Sequence, residues 1–272
     1  MNNIPISDKI PELDIAIKAA QEASSTILEI YHSDYSTFTK NDDSPVTDAD
    51  LKSNKIINEI LSDTKYSILS EEDEDSQDRL SKDMIWIVDP LDGTREFINK
   101  SKEFTVNIAL VEDGSAIFGI VGAPATSNVW HGSIYDSDKN LSGTSDAEIN
   151  TLRIVMSKSH QTDADRNLLS LFKSLNIDYE VVEKGSSLKL CALADNQADI
   201  YPRFGPTSEW DIAAGNAVLS GSGGIVSLLS SGKPLPYNKE DTILNSPFIA
   251  CRNQDIHDRF FPILSEYHKK LV

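Results

Sequence analysis

Two aspartates, Asp89 and Asp92, stand three residues apart directly after an apolar segment. Residues 84–88 predict a buried strand, after which Pro90 and Gly93 favour a tight turn. Two carboxylates held close together repel each other unless a proton or a cation lies between them, and hard divalent cations prefer oxygen ligands. The pair therefore indicates a metal site, although Asp-Gly sequences are also common in purely structural turns.

Further acidic residues stand at the ends of predicted elements, where functional sites are usually built. Glu71 follows a predicted strand, and Asp211 opens a predicted helix. Both also have structural interpretations, Asp211 as a helix N-cap and Glu71 as an exposed acid in the acidic run 71–75. Thr47 and Asp50 have the spacing of a capping box, which predicts a helix that begins near residue 48.

Hydrophobic periodicity predicts the elements that position these residues. A helix over 11–31 and another over 48–61 precede five strands, which makes the first half α+β with a largely antiparallel sheet. A connector rich in Ser, Asp, Asn and Gly follows at 136–151, and beyond it strands and helices alternate as in α/β folds. We therefore expect an N-terminal domain at 1–145 and a C-terminal domain at 146–272. The predicted strands are 66–70, 84–88, 104–111, 116–121, 129–135, 153–156, 179–182, 200–203, 225–229 and 248–251, and the later helices are 164–175, 187–194, 211–219 and one from about 255.

The composition limits the classes of function. The net charge of −18, from 25 basic and 43 acidic residues, repels long polyanions, so long nucleic acids are not expected partners, whereas a small anion can bind where placed cations reverse the local sign. No apolar stretch approaches the ~20 residues of a membrane span and no signal peptide is evident, so we expect a cytoplasmic protein. Peripheral association with the inner face of the cell membrane stays open. Cys191 and Cys251 lie among apolar residues and are expected to be buried free thiols.

Three acidic motifs together resemble those of the inositol monophosphatase superfamily of magnesium-dependent, lithium-sensitive phosphatases. Their order and spacing match over nearly the whole chain. They are Ser-Glu-Glu at 70–72, Asp-Pro-Leu-Asp-Gly-Thr-Arg-Glu-Phe at 89–97 and Trp-Asp-Ile-Ala-Ala-Gly at 210–215. Three more specific segments look like the 3'(2'),5'-bisphosphate nucleotidases of the CysQ type, namely 103–110, 185–189 and 201–207. The resemblance implies a layered αβαβα sandwich of the sugar phosphatase type.

The resemblance also implies two or three Mg²⁺ ions. One ion would take Glu71, Asp89 and the backbone carbonyl of Leu91. A second would share Asp89 and add Asp92 and Asp211, and a third could lie on Glu71. Such ions clamp a phosphate and offset its charge.

The catalytic residues that the resemblance implies are Asp50, Thr94 and Glu71. Thr94, backed by Asp50, would orient and deprotonate the attacking water, because a carboxylate behind a hydroxyl can accept a proton through it. The implied substrate contacts are the amides of Gly93 and Thr94, together with His160, Ser186, Lys189, Arg203 and Asp211. Each of the four side chains also has a structural interpretation when taken singly. His160 fits an ordinary loop histidine, Ser186 a helix N-cap, Lys189 a solvated helix residue and Arg203 an ion-paired arginine.

The implied activity is hydrolysis of adenosine 3',5'-bisphosphate to AMP and phosphate, which would clear a by-product of sulfate activation. The 3'-phosphate of the sulfated donor nucleotide is a further potential substrate, and the enzyme would be a monomer or a homodimer. An inositol monophosphatase remains an alternative, but it needs an acidic residue seven positions before Asp211, where this chain has Phe204. A nucleotide-binding module without hydrolysis is another, although the chain shows neither a complete dinucleotide fingerprint nor a P-loop.

Overall fold

The computed structural model describes residues 12–40, 43–136, 150–157 and 162–271. The first half begins with a long helix, two short paired strands and a second helix, and continues with five strands and one short helix. In chain order these elements are α1 (Leu13–Tyr31), β1 (Thr37–Thr39), β2 (Pro45–Thr47), α2 (Asp48–Leu61), β3 (Ser67–Ser70), β4 (Met84–Asp92), α3 (Thr94–Ile98), β5 (Thr105–Glu112), β6 (Ser115–Ala123) and β7 (Asn128–Ser133).

The second half alternates strands and helices, as its pattern predicts. In chain order its elements are β8 (Leu152–Ser157), α4 (Asp163–Ser174), β9 (Tyr179–Lys184), α5 (Leu188–Ala194), β10 (Ile200–Arg203), α6 (Glu209–Gly221), β11 (Ile225–Leu228), β12 (Phe248–Cys251) and α7 (Gln254–Lys269).

The strands form two five-stranded sheets. The first sheet has the order β3-β4-β5-β6-β7 and is antiparallel except between β3 and β4, in agreement with the largely antiparallel prediction. The second sheet has the order β11-β12-β10-β8-β9, with β8 parallel to both of its neighbours and β12 antiparallel to both of its own. Parallel neighbours need crossover connections, and α4 and α5 supply them.

Side-chain alternation along the strands gives the layers. Trp86 and Val88 of β4 pack with α1 and α2, whereas Ile85 and Ile87 point to the opposite face and pack with α5 and α6. The second sheet covers the other side of α5 and α6, and its outer face packs on α4 and α7. Two sheets alternate in this way with three helical layers, and the predicted αβαβα sandwich is confirmed.

Several boundaries differ from the sequence predictions. The strand predicted at 84–88 continues to Asp92, the helix predicted from Asp211 begins at Glu209, and β1 and β2 were not predicted. Cys191 and Cys251 are both buried and free, as expected. The predicted connector lies largely outside the described residues, so the two-domain division stays a prediction. Within the described ranges, no helix is long and apolar enough to cross a membrane.

Candidate active site

Asp89 and Asp92 lie on the same face of the first sheet because β4 contains a one-residue bulge. Asp89 pairs with Asn107 and Asp92 with Thr105, so three steps along β4 match two steps along β5. Side chains three residues apart in a regular strand point to opposite faces, and the extra residue returns these two to one side. The sequence predicted a turn here. The structure shows a bulged strand, in which the Leu91 amide donates to Asp89 Oδ1 at 3.0 Å.

Asp211 completes an acidic cluster with these two residues. Carboxylate oxygens of Asp89, Asp92 and Asp211 lie within 4.8 Å of one another. Asp211 is the third residue of α6, and its Oδ2 accepts a hydrogen bond from the Ser208 amide at 2.7 Å. Ser208 is therefore the N-cap, and the interpretation of Asp211 as the N-cap is wrong. The capping box fixes the Asp211 side chain at the start of the helix.

The electrostatics of this cluster favour a bound cation. Burial is the main cause that raises the pKa of Asp89, Asp92 and Asp211, and repulsion from neighbouring carboxylates raises each pKa further. Three carboxylates this close cannot all be ionised without compensating charge. Because the three side chains offer only oxygen ligands, the donor set fits a hard divalent cation such as Mg²⁺.

Glu71 lies beside the acidic cluster, close enough for its charge to raise the pKa of Asp89. Lys40, which follows β1, contacts Glu71 Oε1 at 2.9 Å and Glu72 Oε1 at 2.6 Å. The Glu72 side chain is only 5% exposed, and burial raises its pKa to about 7. Asp75, further along, binds Arg79 at 2.7 Å. The interpretation of residues 71–75 as a solvated loop therefore holds for residues 73–75, which are exposed, but not for Glu71 and Glu72, which are partly buried against Lys40.

Thr94 contacts Asp50 as the resemblance implies. Thr94 Oγ1 donates to Asp50 Oδ1 at 2.8 Å, while Asp50 Oδ2 accepts hydrogen bonds from the amide and the hydroxyl of Thr47 at 2.8 and 2.6 Å. Asp50 therefore forms the predicted capping box and contacts Thr94 at the same time. Burial raises the pKa of Asp50. A hydroxyl that donates its proton to a carboxylate still has oxygen lone pairs for a further partner, and Thr94 lines the pocket.

Gly93 is required both by its backbone and by its neighbour. It has φ +93°, in the left-handed region, and a Cβ here would lie 2.3 Å from Ser186 Oγ. The Ser186 hydroxyl contacts the backbone carbonyls of Glu103 and Asp92 at 2.8 and 3.0 Å. Ser187, not Ser186, precedes α5, so the N-cap interpretation of Ser186 is wrong.

Two cations line the same pocket. Lys189 Nζ donates to the Ser186 carbonyl at 2.6 Å. Burial is the main cause that lowers the pKa of Lys189, while Asp92 and Asp211 raise it. The charge of Arg203 also lowers this pKa, which shows that the two cations lie close together. Arg203 Nη2 donates to the Pro206 carbonyl at 3.0 Å, and its Nε is buried with no partner in the part of the chain that the structure describes. Within those residues Arg203 forms no ion pair. The structure therefore confirms neither the interpretation of Lys189 as a solvated helix residue nor that of Arg203 as an ion-paired arginine.

The pocket that joins these groups has a volume of about 690 Å³, within the range of ligand sites. Part of its wall is apolar and is formed by Tyr201, Trp210, Ile243 and Leu244. Phe204 is absent from the lining, because its ring packs edge-to-face on Tyr267 of α7 at 5.3 Å between ring centroids. Phe204 therefore does not shape the pocket.

The structure leaves two predicted site residues untested and shows site residues that the sequence did not predict. His160 lies outside the described residues, and the ligand role of the Leu91 carbonyl stays a prediction. Sequence reasoning missed Lys40 and the apolar wall. Lys40 had no sequence signal because the pairing of β1 with β2 determines its position, whereas Trp210 directly precedes Asp211 and could have been noticed.

Comparisons with known proteins agree with this fold. The model of the inositol monophosphatase family matches residues 8–269. The chain belongs to the inositol monophosphatase family. Within this family, the 3'(2'),5'-bisphosphate nucleotidase CysQ of Escherichia coli K12 is 37% identical over 245 residues, which cover 87% of this chain and 98% of the relative.

Solved structures of the inositol monophosphatase family show the same architecture. CysQ from Bacteroides thetaiotaomicron is 35% identical, with a TM-score of 0.73, and the match covers 93% of this chain and all of that one. The IMPase of Thermotoga maritima has a TM-score of 0.74 at 21% identity, with 96% of this chain covered, and this similarity shows the fold alone. Membership of this metal-dependent family makes the chain a phosphatase.

Proposed function

We propose that this chain is a Mg²⁺-dependent 3'(2'),5'-bisphosphate nucleotidase that hydrolyses adenosine 3',5'-bisphosphate to AMP and phosphate. The observation that carries the proposal is that Lys189 and Arg203 line one pocket with Asp92 and Asp211. The acidic cluster suits a phosphate bound through metal ions, and the two cations suit a second phosphate that touches no metal. The E. coli relative, a 3'(2'),5'-bisphosphate nucleotidase, supports this substrate class.

The acidic residues would hold two Mg²⁺ ions, or three with a further ion on Glu71. Asp89, Asp92 and Asp211 would bind one ion, and Asp89 would share a second with Glu71 and the carbonyl of Leu91. When bound, Mg²⁺ offsets the charge of the reacting phosphate and lowers the pKa of water. Glu71 would then exchange or share its contact with Lys40, which at present compensates its charge.

Thr94 and Asp50 would orient and deprotonate the attacking water. The Thr94 hydroxyl already donates to Asp50 Oδ1, so its oxygen can accept a hydrogen bond from a water molecule in the pocket. The water proton would pass through the hydroxyl to Asp50, whose pKa is raised by burial. Water would attack phosphorus as the bond from phosphorus to the ribose 3'-oxygen breaks. The leaving oxygen would take a proton from solvent water and depart as a hydroxyl, and Asp50 would return its proton to solvent.

The rest of the pocket would bind the nucleoside and its 5'-phosphate. Lys189 and Arg203 would contact the 5'-phosphate, together with Ser186, while the amides of Gly93 and Thr94 would contact the reacting phosphate. The apolar wall of Tyr201, Trp210 and Leu244 lies in the same cavity. Removal of the 3'-phosphate from the sulfated donor nucleotide, and a role in sulfate assimilation, are part of the proposal.

Arg203→Ala is expected to raise KM for adenosine 3',5'-bisphosphate at least tenfold, because a charged hydrogen bond contributes about 1.5–3 kcal/mol. The effect on a nucleoside 3'-monophosphate, which lacks the second phosphate, should be much smaller. Lys189→Ala should act in the same direction but more weakly. The measurement is the kcat/KM ratio of the bisphosphate to the 3'-monophosphate in wild type and variant.

Arg259→Ala is the matched control, because it removes the same charge from an exposed position on α7. Its substrate ratio should equal that of the wild type. If Arg203→Ala leaves kcat/KM unchanged for both substrates, the second phosphate binds elsewhere. Equal losses on both substrates would show that Arg203 has only a structural role.

Lithium is expected to inhibit phosphate release in the millimolar range when Mg²⁺ is limiting. Li⁺ is close to Mg²⁺ in size but carries half the charge, so it would occupy the site of Asp92 and Asp211 without the same stabilisation of the leaving oxygen. Calcium should also inhibit, because its looser coordination disturbs the required geometry. Sodium at equal ionic strength is the control. Activity that is insensitive to Li⁺ would contradict the metal site as assigned.

A further inference from the structure

Ser187 immediately precedes α5, at a position where a serine side chain normally accepts a hydrogen bond from an amide of the first helical turn. Here the side chain makes no capping hydrogen bond. Its hydroxyl lies 2.7 Å from the backbone carbonyl of Asp211 and 3.2 Å from Asp92 Oδ2. Ser187 is 3% exposed, so the protein fixes the orientation of this hydroxyl. The Ser187 hydroxyl therefore contacts two residues of the acidic cluster instead of capping α5.

Asn107 occupies a central position of β5, where an asparagine is unfavourable. The residue is fully buried between the apolar Val106 and Ile108. Its Nδ2 donates to Ser187 Oγ at 2.9 Å, whereas its Oδ1 has no partner among the described residues. Burial of an amide costs free energy unless it is bonded. Departures from local preference of this kind are expected where a residue serves a site.

We infer that Ser187 and Asn107 are positioning residues that hold the Asp92 carboxylate at a fixed place relative to Asp211. Asn107 orients the Ser187 hydroxyl, and that hydroxyl contacts Asp92 on β4 and the Asp211 backbone on α6. The network therefore joins an acidic residue of the first sheet to one at the start of helix α6. This inference rests on the metal-ligand roles proposed above for Asp92 and Asp211.

The network matters because the carboxylates of Asp92 and Asp211 repel each other. An Asp92 side chain without these contacts can turn away from Asp211, and metal binding would then have to bring it back. Partners behind a metal ligand typically change metal affinity or activity 10–100-fold when they are removed. Ser187 and Asn107 therefore act on the reaction through Asp92.

The test is Mn²⁺ binding to the full chain, measured by titration calorimetry without substrate. Ser187→Ala is expected to weaken Mn²⁺ binding about tenfold. Without metal the variant should still unfold cooperatively, at a modestly lower temperature, because the buried Asn107 amide loses its partner while α5 loses no cap. Asn107→Ala is a second variant that should weaken binding in the same direction. Because the two residues act as one unit, the double variant should lose less than the sum of the two single losses in free energy.

Thr105→Val is the matched control. Thr105 lies on the same face of β5 as Asn107, is equally buried and pairs with Asp92 in the sheet, but its hydroxyl has no partner among the described residues. This isosteric change should leave Mn²⁺ affinity unchanged. Wild-type affinity in both Ser187→Ala and Asn107→Ala would overturn the inference, as would an equal loss in Thr105→Val. If the wild type fails to hydrolyse the bisphosphate but the two alanine variants still weaken Mn²⁺ binding, the substrate proposal falls and this inference stands.

Discussion

Replacing Asp92 with asparagine is expected to abolish turnover while the protein stays folded. The change keeps the size of the side chain but removes one anionic ligand, and metal-assisted charge stabilisation contributes several kcal/mol to the reaction. Since about 1.4 kcal/mol is tenfold in rate, the expected loss in kcat/KM is about a thousandfold or more. Asp211→Asn should behave in the same way. The measurement is phosphate release at saturating Mg²⁺.

Thermal unfolding of the variant distinguishes a loss of catalysis from a loss of folded protein. Burial and the charge of Glu71 oppose ionisation of Asp92, so a neutral amide relieves repulsion. Without metal, Asp92→Asn should therefore unfold at the wild-type temperature or above it, whereas stabilisation by added Mg²⁺ should be reduced. Asp63→Asn, which removes the same charge from an exposed turn, should match the wild type in both respects. Near-normal turnover in either cluster variant would contradict the site.

Replacing Thr94 with valine is expected to lower kcat about a hundredfold or more, the usual range for a lost general-base path. The change is isosteric and removes only the hydroxyl that contacts Asp50 Oδ1. Asp50 Oδ2 keeps both bonds to Thr47, so α2 keeps its capping box. The measurement is kcat together with the Mg²⁺ concentration needed for half-maximal rate, and the latter should not change.

Thr94→Ser is the control for the role of the hydroxyl, because it keeps the oxygen and loses only a methyl group. It should retain most of the wild-type kcat. If serine and valine variants lose activity equally, the packing of Thr94 matters rather than its hydroxyl. If the valine variant retains its activity, Asp50 does not act through Thr94.

Local patterns predicted much of this architecture. The capping box of Thr47 and Asp50 gave the start of α2, and short segments rich in apolar residues gave β10 and β12 with their observed bounds. These element bounds depend on neighbours in sequence, so a single chain is sufficient to show them. Asp89, Asp92 and Asp211 each stood at the end of a predicted element, but only the resemblance of their motifs to a known family grouped them into one site.

The remaining features depend on contacts between distant segments. No local signal distinguishes a turn after Val88 from the bulge that aligns Asp89 with Asp92, because the bulge is defined by the register with β5. Lys40 reaches Glu71 only because β1 pairs with β2. Phe204 could face the pocket or α7, and packing on Tyr267 decided between them.

The most direct test of the proposed activity is phosphate release by the wild-type chain with Mg²⁺ on three substrates at equal concentrations. They are adenosine 3',5'-bisphosphate, inositol 1-phosphate and fructose 1,6-bisphosphate. With Lys189 and Arg203 in the pocket, kcat/KM should be highest for adenosine 3',5'-bisphosphate by at least tenfold. A higher kcat/KM for inositol 1-phosphate, or no phosphate released from the nucleotide, would contradict the account.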